Sequence, residues 1–255
     1  MHVTTTPPTH QQRLAERVRP TGAVVMHQRW EQLLFLHWRW DAAEVQAKLP
    51  PGLLVDTCNG AAWLGLVPLF MRNVRPRFTP ALPRLSDFFE LNLRTYVYDA
   101  LGRPGLYFFS LDCDQPLAVT MAREWLGLRY EHAAITAAVD AEGWVDFAAQ
   151  RMGAAERAEF RYHPGTMSDA HEAEPASQEF FLLERYRLFA TDPAGERLTS
   201  VRVCHLPYRL RSAPVLAWSD VPLKQAGFDP EGRAPDHICA ADPRDVEVFA
   251  PERVG

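Results

Sequence analysis

The chain has 255 residues, 47% apolar and 23% charged, and a net charge of −5. That length allows a substantial core, and the balance is normal for a soluble globular protein. No long basic run marks a nucleic-acid footprint, and no stretch approaches the roughly 18 apolar residues of a membrane helix.

The four cysteines, Cys58, Cys113, Cys204 and Cys239, include no Cys-x-x-Cys pair, which argues against a structural zinc site or a disulfide framework. Residues 1–22 lack the apolar centre of a signal peptide and read as a flexible polar tail with at most a short frayed helix. Residues 23–255 read as a single domain. A reducing cytoplasm is the expected compartment. Lys48 and Lys224 are the only lysines among 27 basic residues, a bias that a GC-rich genome explains.

Along the chain, Leu33 to Trp40 is strand-like, and Asp41 is placed to cap a short helix that Pro50-Pro51-Gly52 must end. Asn59-Gly60 is a two-residue turn signal, predicting a hairpin between strands near 53–57 and 61–71. A proline-rich loop follows with Arg72, Arg75, Arg77 and Arg84, long enough to act as a lid. "FFELNLRTYVYD", 88–99, reads as a strand, and "GRPG" turns it into "LYFFSLDCD". "DQPLAVTMAREWLG" is the clearest helix: Asp114 as cap, Pro116 in the first turn, Gly127 past the end, and a stripe of Leu117, Met121 and Trp125. Successive strands flank the Asp-Ala-Glu-Gly turn at 140–143. An acidic, flexible connection at 164–177 leads to a helical turn and two strands joined at Asp192-Pro-Ala-Gly195. A helix near 218–228 and a strand "DVEVFA" close the chain. Many strands with few short helices predict an α+β fold with a large, mostly antiparallel, barrel-like sheet.

Side chains on a strand alternate between faces. In 88–99, one face carries Leu91, Leu93, Thr95 and Val97, the other Glu90, Asn92, Arg94 and Tyr96. In a barrel, such a polar face lines a cavity. Arg94 offers a planar fork for a carboxylate or phosphate, and Glu90 serves as general acid or base if burial raises its pKa. Asn92 and Tyr96 supply neutral hydrogen bonds. Ser110 and Asp112 share a face beside Phe108, and Tyr130, Arg185 or Tyr186, and His205 complete the candidates. The competing reading is a solvated strand face. His37, between aromatic residues, reads as packed and hydrogen-bonded. No close His pair at ligand spacing supports a metal, so none is expected, nor is any cofactor. Cys113, between two aspartates, is in the wrong setting for a nucleophile.

"LLFLHWRW", "LPPGLLVDTCNGAAWLGLVPLFMRNVRPR", "FFELNLRTYVYD", "GRPGLYFFSLD", "FFLLERYRLF" and "VCHLPYRL" together resemble the YqjF-like family, over roughly 27–250. That family is similar to the acetoacetate decarboxylase superfamily, which implies a barrel-like fold around a central cavity. Those decarboxylases form a Schiff base on a lysine activated beside a second cation. Here the comparable segment, Ala122-Arg123-Glu124-Trp125, is followed by "LGLRYEHAAI" without lysine. Arg129 lies near that position, and its guanidinium cannot form an imine. The expectation is a cavity for an anionic, carboxylate- or carbonyl-bearing small molecule, either acted on by acid–base chemistry or bound without catalysis by a sensing domain. A purely structural subunit is a third reading. Self-association into a homo-oligomer stays open, and neither nucleic acid nor membrane is an expected partner.

Overall fold

The computed structural model describes residues 6–83, 85–192 and 197–254. Short apolar runs between turn residues form one 17-stranded mixed sheet, with short helices between some strands. α1 (His10–Ala15) precedes β1 (Val24–Glu31), β2 (Leu33–Trp40), α2 (Ala42–Gln46), β3 (Leu53–Val55), β4 (Ala62–Pro76), β5 (Phe88–Asp99) and β6 (Pro104–Cys113). α3 (Pro116–Leu126) leads to β7 (Tyr130–Val139), β8 (Val145–Arg151), β9 (Ala158–Tyr162), β10 (His171–Glu172) and α4 (Gln178–Leu183). β11 (Arg187–Thr191), β12 (Leu198–Cys204), β13 (Arg209–Arg211) and β14 (Val215–Ala217) come next. α5 (Val221–Gln225), β15 (His237–Ala241), β16 (Arg244–Phe249) and β17 (Glu252–Arg253) follow.

The pairings close a ring. β4 is long enough to hold β5 on one side and, on the other, β2 with its first half and β1 with its second. β5 pairs with β6, β6 in parallel with β11, β11 with β12, β12 with β16, and β16 returns to β1. Apart from the parallel contacts of β6 with β11 and β7, the strand pairs are antiparallel. β7, β8 and β9 form a second layer. Their Ile135, Phe147 and Phe160 pack on Leu36, Leu66 and Leu93, which project from the outer face of β2, β4 and β5. The ring interior is lined by a separate cluster that includes Phe35, Leu69, Leu106 and Leu183. Both faces of β5 are therefore buried, and a solvated polar face does not occur there.

Local signals explain most boundaries. The Asp41 carboxylate accepts from the N–H groups of Ala43 and Glu44 and starts α2. Gly127, past α3, has φ +63°, and a Cβ there would lie 1.9 Å from the Thr191 carbonyl oxygen. Asn59 and Gly60 both take positive φ in a tight turn bridged by Cys58 and Ala61. The hairpin expected there does not form: β3 and β4 lie one after the other along the same edge of β5, with 56–61 looped out between them. Leu117 is 57% exposed and Val119 faces the core instead, while the side chains of Met121 and Trp125 lie outside those described. Asp114, expected at the helix cap, accepts from the Phe89 N–H at 2.8 Å. The connection at 164–177 carries β10, which pairs with β13, and Ser177 caps α4. The turn expected at Asp192–Gly195 falls largely on residues outside those described. No described helix is long and apolar enough to cross a membrane.

Part of the segment expected as a free tail is docked. Arg13 pairs with buried Asp56, one of its two bonds at 2.8 Å, and Arg17 reaches buried Glu184 at 3.0 Å. Glu16 meets Arg187 at 3.2 Å and Arg202 at 3.1 Å, and Leu14 packs on the interior cluster.

Candidate functional site

Every strand of the ring contributes side chains to a cavity of about 90 Å³. That is room for several waters or a small organic acid. Its apolar wall includes Trp30, Phe35, Leu69, Leu106, Val201 and Val248, and its polar groups are Gln28, Glu90, Asn92, Arg94, Tyr130, Arg185 and Tyr208. Two broader surface depressions, of about 450 and 380 Å³, gather none of these residues. The proline-rich loop after β4 contributes none of the lining residues either.

Alternation along β5 aims Glu90, Asn92 and Arg94 inward, as the strand pattern predicts. Tyr96 shares their face but sits behind the wall, its ring under the guanidinium groups of Arg94 and Arg185 at 5.9 and 5.3 Å. Ser110 and Asp112 do not reach the cavity. The register between β5 and β6 slips between Leu93 and Arg94, so that Phe109 is an extra residue on β6. Beyond this bulge the parity reverses: Phe108 and Leu111 face inward, and Asp112 turns out to Arg151 of β8, 2.8 Å away. Burial there raises the Asp112 carboxyl to about 6 despite the arginine. His205 is also outside the cavity, stacked on Tyr186 at 4.7 Å, with Nδ1–H donating to the Leu206 carbonyl at 2.8 Å. Burial pushes it down to about 4. Tyr186 donates to Glu184 and likewise does not line the cavity. Tyr130 and Arg185 do line it, whereas Arg129, one position before Tyr130, is exposed over the outer ring of Tyr107.

Glu90 and Tyr130 form the chemically distinctive pair. The Tyr130 hydroxyl donates to Glu90 Oε2 at 2.6 Å, and Asn92 Nδ2 donates to Oε1 at 3.3 Å. Burial nevertheless raises the Glu90 carboxyl above its ordinary value, with the nearby Asp112 charge adding to it. Tyr130 is held well above the usual phenol range by burial and the Glu90 charge.

The two arginines differ. Arg185 meets Asp56 at 3.2 Å, and burial pushes its guanidinium down to about 10, so it stays charged at neutral pH. Arg94 is 7% exposed and has no carboxylate within ion-pair distance among the described residues. Its Nη2 donates to the Leu182 carbonyl at 3.3 Å, its plane lies over Phe35 at 5.1 Å, and its Nε has no partner. Asn92 Oδ1 is likewise unpartnered. Buried polar groups are nearly always satisfied, so these two atoms are open to a hydrogen bond from outside the chain, from water or from a bound molecule.

Neither lysine reaches the cavity. Lys48 donates to the Ala226 carbonyl at 3.2 Å, and Lys224 pairs with Asp220 at 3.0 Å. Among the described residues no group of three or more His, Cys, Asp or Glu is arranged to hold a metal ion. Sequence reasoning missed Gln28, Trp30 and Tyr208, and it missed Asp56 as the partner of Arg185. Tyr208 stands in the "VCHLPYRL" motif, whereas Asp56 carries no local signal.

The profile of DUF2071, a family of uncharacterized conserved proteins, matches residues 27–245. The chain is 38% identical over 195 residues to the uncharacterized protein YqjF of Bacillus subtilis, covering 76% of this chain and 78% of that one. Among solved structures, the enduracididine biosynthesis enzyme MppR complexed with pyruvate superposes with a TM-score of 0.62 at 16% identity, covering 95% of this chain and 94% of that one. The acetoacetate decarboxylase of Legionella pneumophila superposes with a TM-score of 0.58 at 13% identity, covering 99% and 94%. An acetoacetate decarboxylase-like enzyme of Sphingomonas wittichii gives 0.53 at 18%, covering 93% and 98%. The chain belongs to the DUF2071 family and has the acetoacetate decarboxylase-like fold.

Proposed function

We propose that this chain binds a small carboxylate, of the size of a simple keto acid, inside the ring, and moves a proton on it. Arg94 carries the reading: it is a buried cation on the cavity wall with no carboxylate at ion-pair distance among the described residues. A guanidinium takes a carboxylate through two parallel N–H···O bonds. The bound anion would supply the charge that Arg94 lacks, and the apolar wall leaves room for a short carbon chain. Glu90 is the proton-transfer group, since burial brings a carboxyl toward the range useful at neutral pH and Tyr130 fixes its orientation. The reading uses no imine, because both lysines lie at the surface and a guanidinium does not form one. MppR, on the same fold, was captured with pyruvate, a ligand of the proposed class.

A non-catalytic binding role is the second reading. It is favoured by the engagement of both Glu90 oxygens, with Tyr130 and with Asn92. Calorimetry with pyruvate and a panel of small keto acids tests the shared part, and proton NMR in D₂O tests the difference. Binding that Arg94→Gln abolishes supports the anion site. Exchange of the ligand's C–H protons that Glu90→Gln stops, with binding retained, supports catalysis. Binding without exchange leaves the sensing role, and no binding by the wild type overturns both.

A further inference from the structure

Behind Arg94 lies a second set of titratable side chains. β2 and β15 pair so that His37 faces His237, and their Nδ1 atoms are 3.0 Å apart. His37 is fully buried and shares its strand face with the cavity residues Leu33 and Phe35, stacking on Phe35. Gly65 of β4 separates it from Arg94. A Cβ on Gly65 would stand 3.2 Å from His37 Cδ2 and 3.3 Å from Arg94 Nε, so both side chains close on the bare backbone of Gly65 from its two neighbouring strands. On the other side the set runs to the surface. His237 Nε2 is 3.9 Å from Glu179 Oε1, and Glu179 Oε2 is 2.9 Å from Nε2 of the exposed His171.

The carboxylate of Glu179 favours a proton on His237 Nε2. His237 Nδ1 then accepts from His37 Nδ1–H, which leaves His37 Nε2 as a buried lone pair with no hydrogen-bond partner. Among the described residues, the charged and titratable groups that reach His37 are Arg94 and Tyr96 from β5 and His237 from β15, with Glu179 of α4 one step further out beyond His237. Burial and the charges of His237 and Arg94 hold it neutral.

We propose that anion binding at Arg94 is coupled to uptake of one proton by the His37–His237 pair, with Glu179 and His171 connecting the pair to solvent. The inference rests on the proposed carboxylate site. A bound carboxylate cancels the Arg94 field at His37, and the pair takes up one solvent proton at His237 Nε2, from the tautomer in which His37 Nε2 carries the hydrogen. The charged pair then has hydrogen on both Nε2 atoms and one hydrogen between the Nδ1 atoms. Ligand and proton enter together, a negative and a positive charge. By linkage, a ligand that raises the pair's proton affinity binds more tightly as pH falls.

Imidazole ¹⁵N NMR tests this, with the signals assigned through His37→Gln and His237→Gln. Wild-type protein is titrated with and without saturating pyruvate, alongside Arg94→Gln without ligand. The expected result is that pyruvate raises the midpoint of the pair by about one pH unit or more, a tenfold gain in proton affinity. Arg94→Gln alone raises it too, since the neighbouring cation is gone. A pair that titrates at the same pH in all three samples overturns the coupling. If calorimetry detects no pyruvate binding, the carboxylate reading fails in its own assay, and the Arg94→Gln titration still decides whether Arg94 sets the charge of the pair.

Discussion

Asp56→Asn is the substitution whose effect follows most directly from the geometry around the cavity. Asp56 is fully buried and is shared by Arg13 of α1 and Arg185 of the cavity wall. The Arg185 side chain is 2% exposed, and the amide that replaces Asp56 leaves its charge buried without a counter-ion. Breaking a buried ion pair from one side costs about 3–5 kcal/mol. At roughly 2–4 °C per kcal/mol for a chain of this class, the midpoint falls by roughly 6–20 °C. Urea unfolding followed by circular dichroism measures the loss directly. The double variant Asp56→Asn, Arg185→Met recovers part of it, because an apolar replacement removes the stranded charge, with a coupling of about 2–3 kcal/mol. Pyruvate stabilises Asp56→Asn at least as strongly as wild type, because Arg185 is then also free to take an anion. A single variant within about 1 kcal/mol of wild type, with no recovery in the double, would refute the view that Asp56 sustains the cationic wall.

Tyr130→Phe removes the 2.6 Å hydrogen bond that holds Glu90 down. The expected outcome is a loss of about 1.5–3 kcal/mol in unfolding free energy, with the pH midpoint of ligand C–H exchange moving upward in an NMR profile. His205 sets an acid limb of stability. Its folded value, about 4, lies below the ordinary 6.5, so its contribution is complete above pH 6.5 and is lost as the pH falls through 4. The loss is about 3 kcal/mol at about 1.4 kcal/mol per pH unit, and His205→Phe flattens that limb in thermal melts from pH 7 to 4. Gly127→Ala combines a left-handed φ of +63° with a Cβ 1.9 Å from the Thr191 oxygen. The backbone must move there, at roughly 2–5 kcal/mol, read by chemical unfolding.

The parts of this structure that were legible in the sequence are those governed by local rules. Strand alternation gave the inward set Glu90, Asn92 and Arg94, Asp41 announced its helix, and Asn59-Gly60 announced a tight turn. What stayed hidden depends on partners distant in the chain. The bulge at Phe109 carries no glycine or proline to mark it, and it alone turned Ser110 and Asp112 away from the cavity. The same turn signal led to a wrong pairing for β3, because its partner lies 42 positions or more further on, in β5. The N-terminal segment reads as solvated because the buried partners of its charges lie far away in the chain. Arg13 finds Asp56 43 positions away and Arg17 finds Glu184 167 positions away. His37 and His237, 200 positions apart, meet only through the register of β2 and β15.

The central claim is that Arg94 is the seat of a carboxylate. A crystal structure of the protein soaked with pyruvate tests it most directly. The account requires the carboxylate inside the ring, with both oxygens within hydrogen-bond distance of the Arg94 guanidinium and the carbon chain toward Glu90 and Tyr130. A cavity holding only solvent at saturating pyruvate, or a ligand seated away from Arg94, would contradict it.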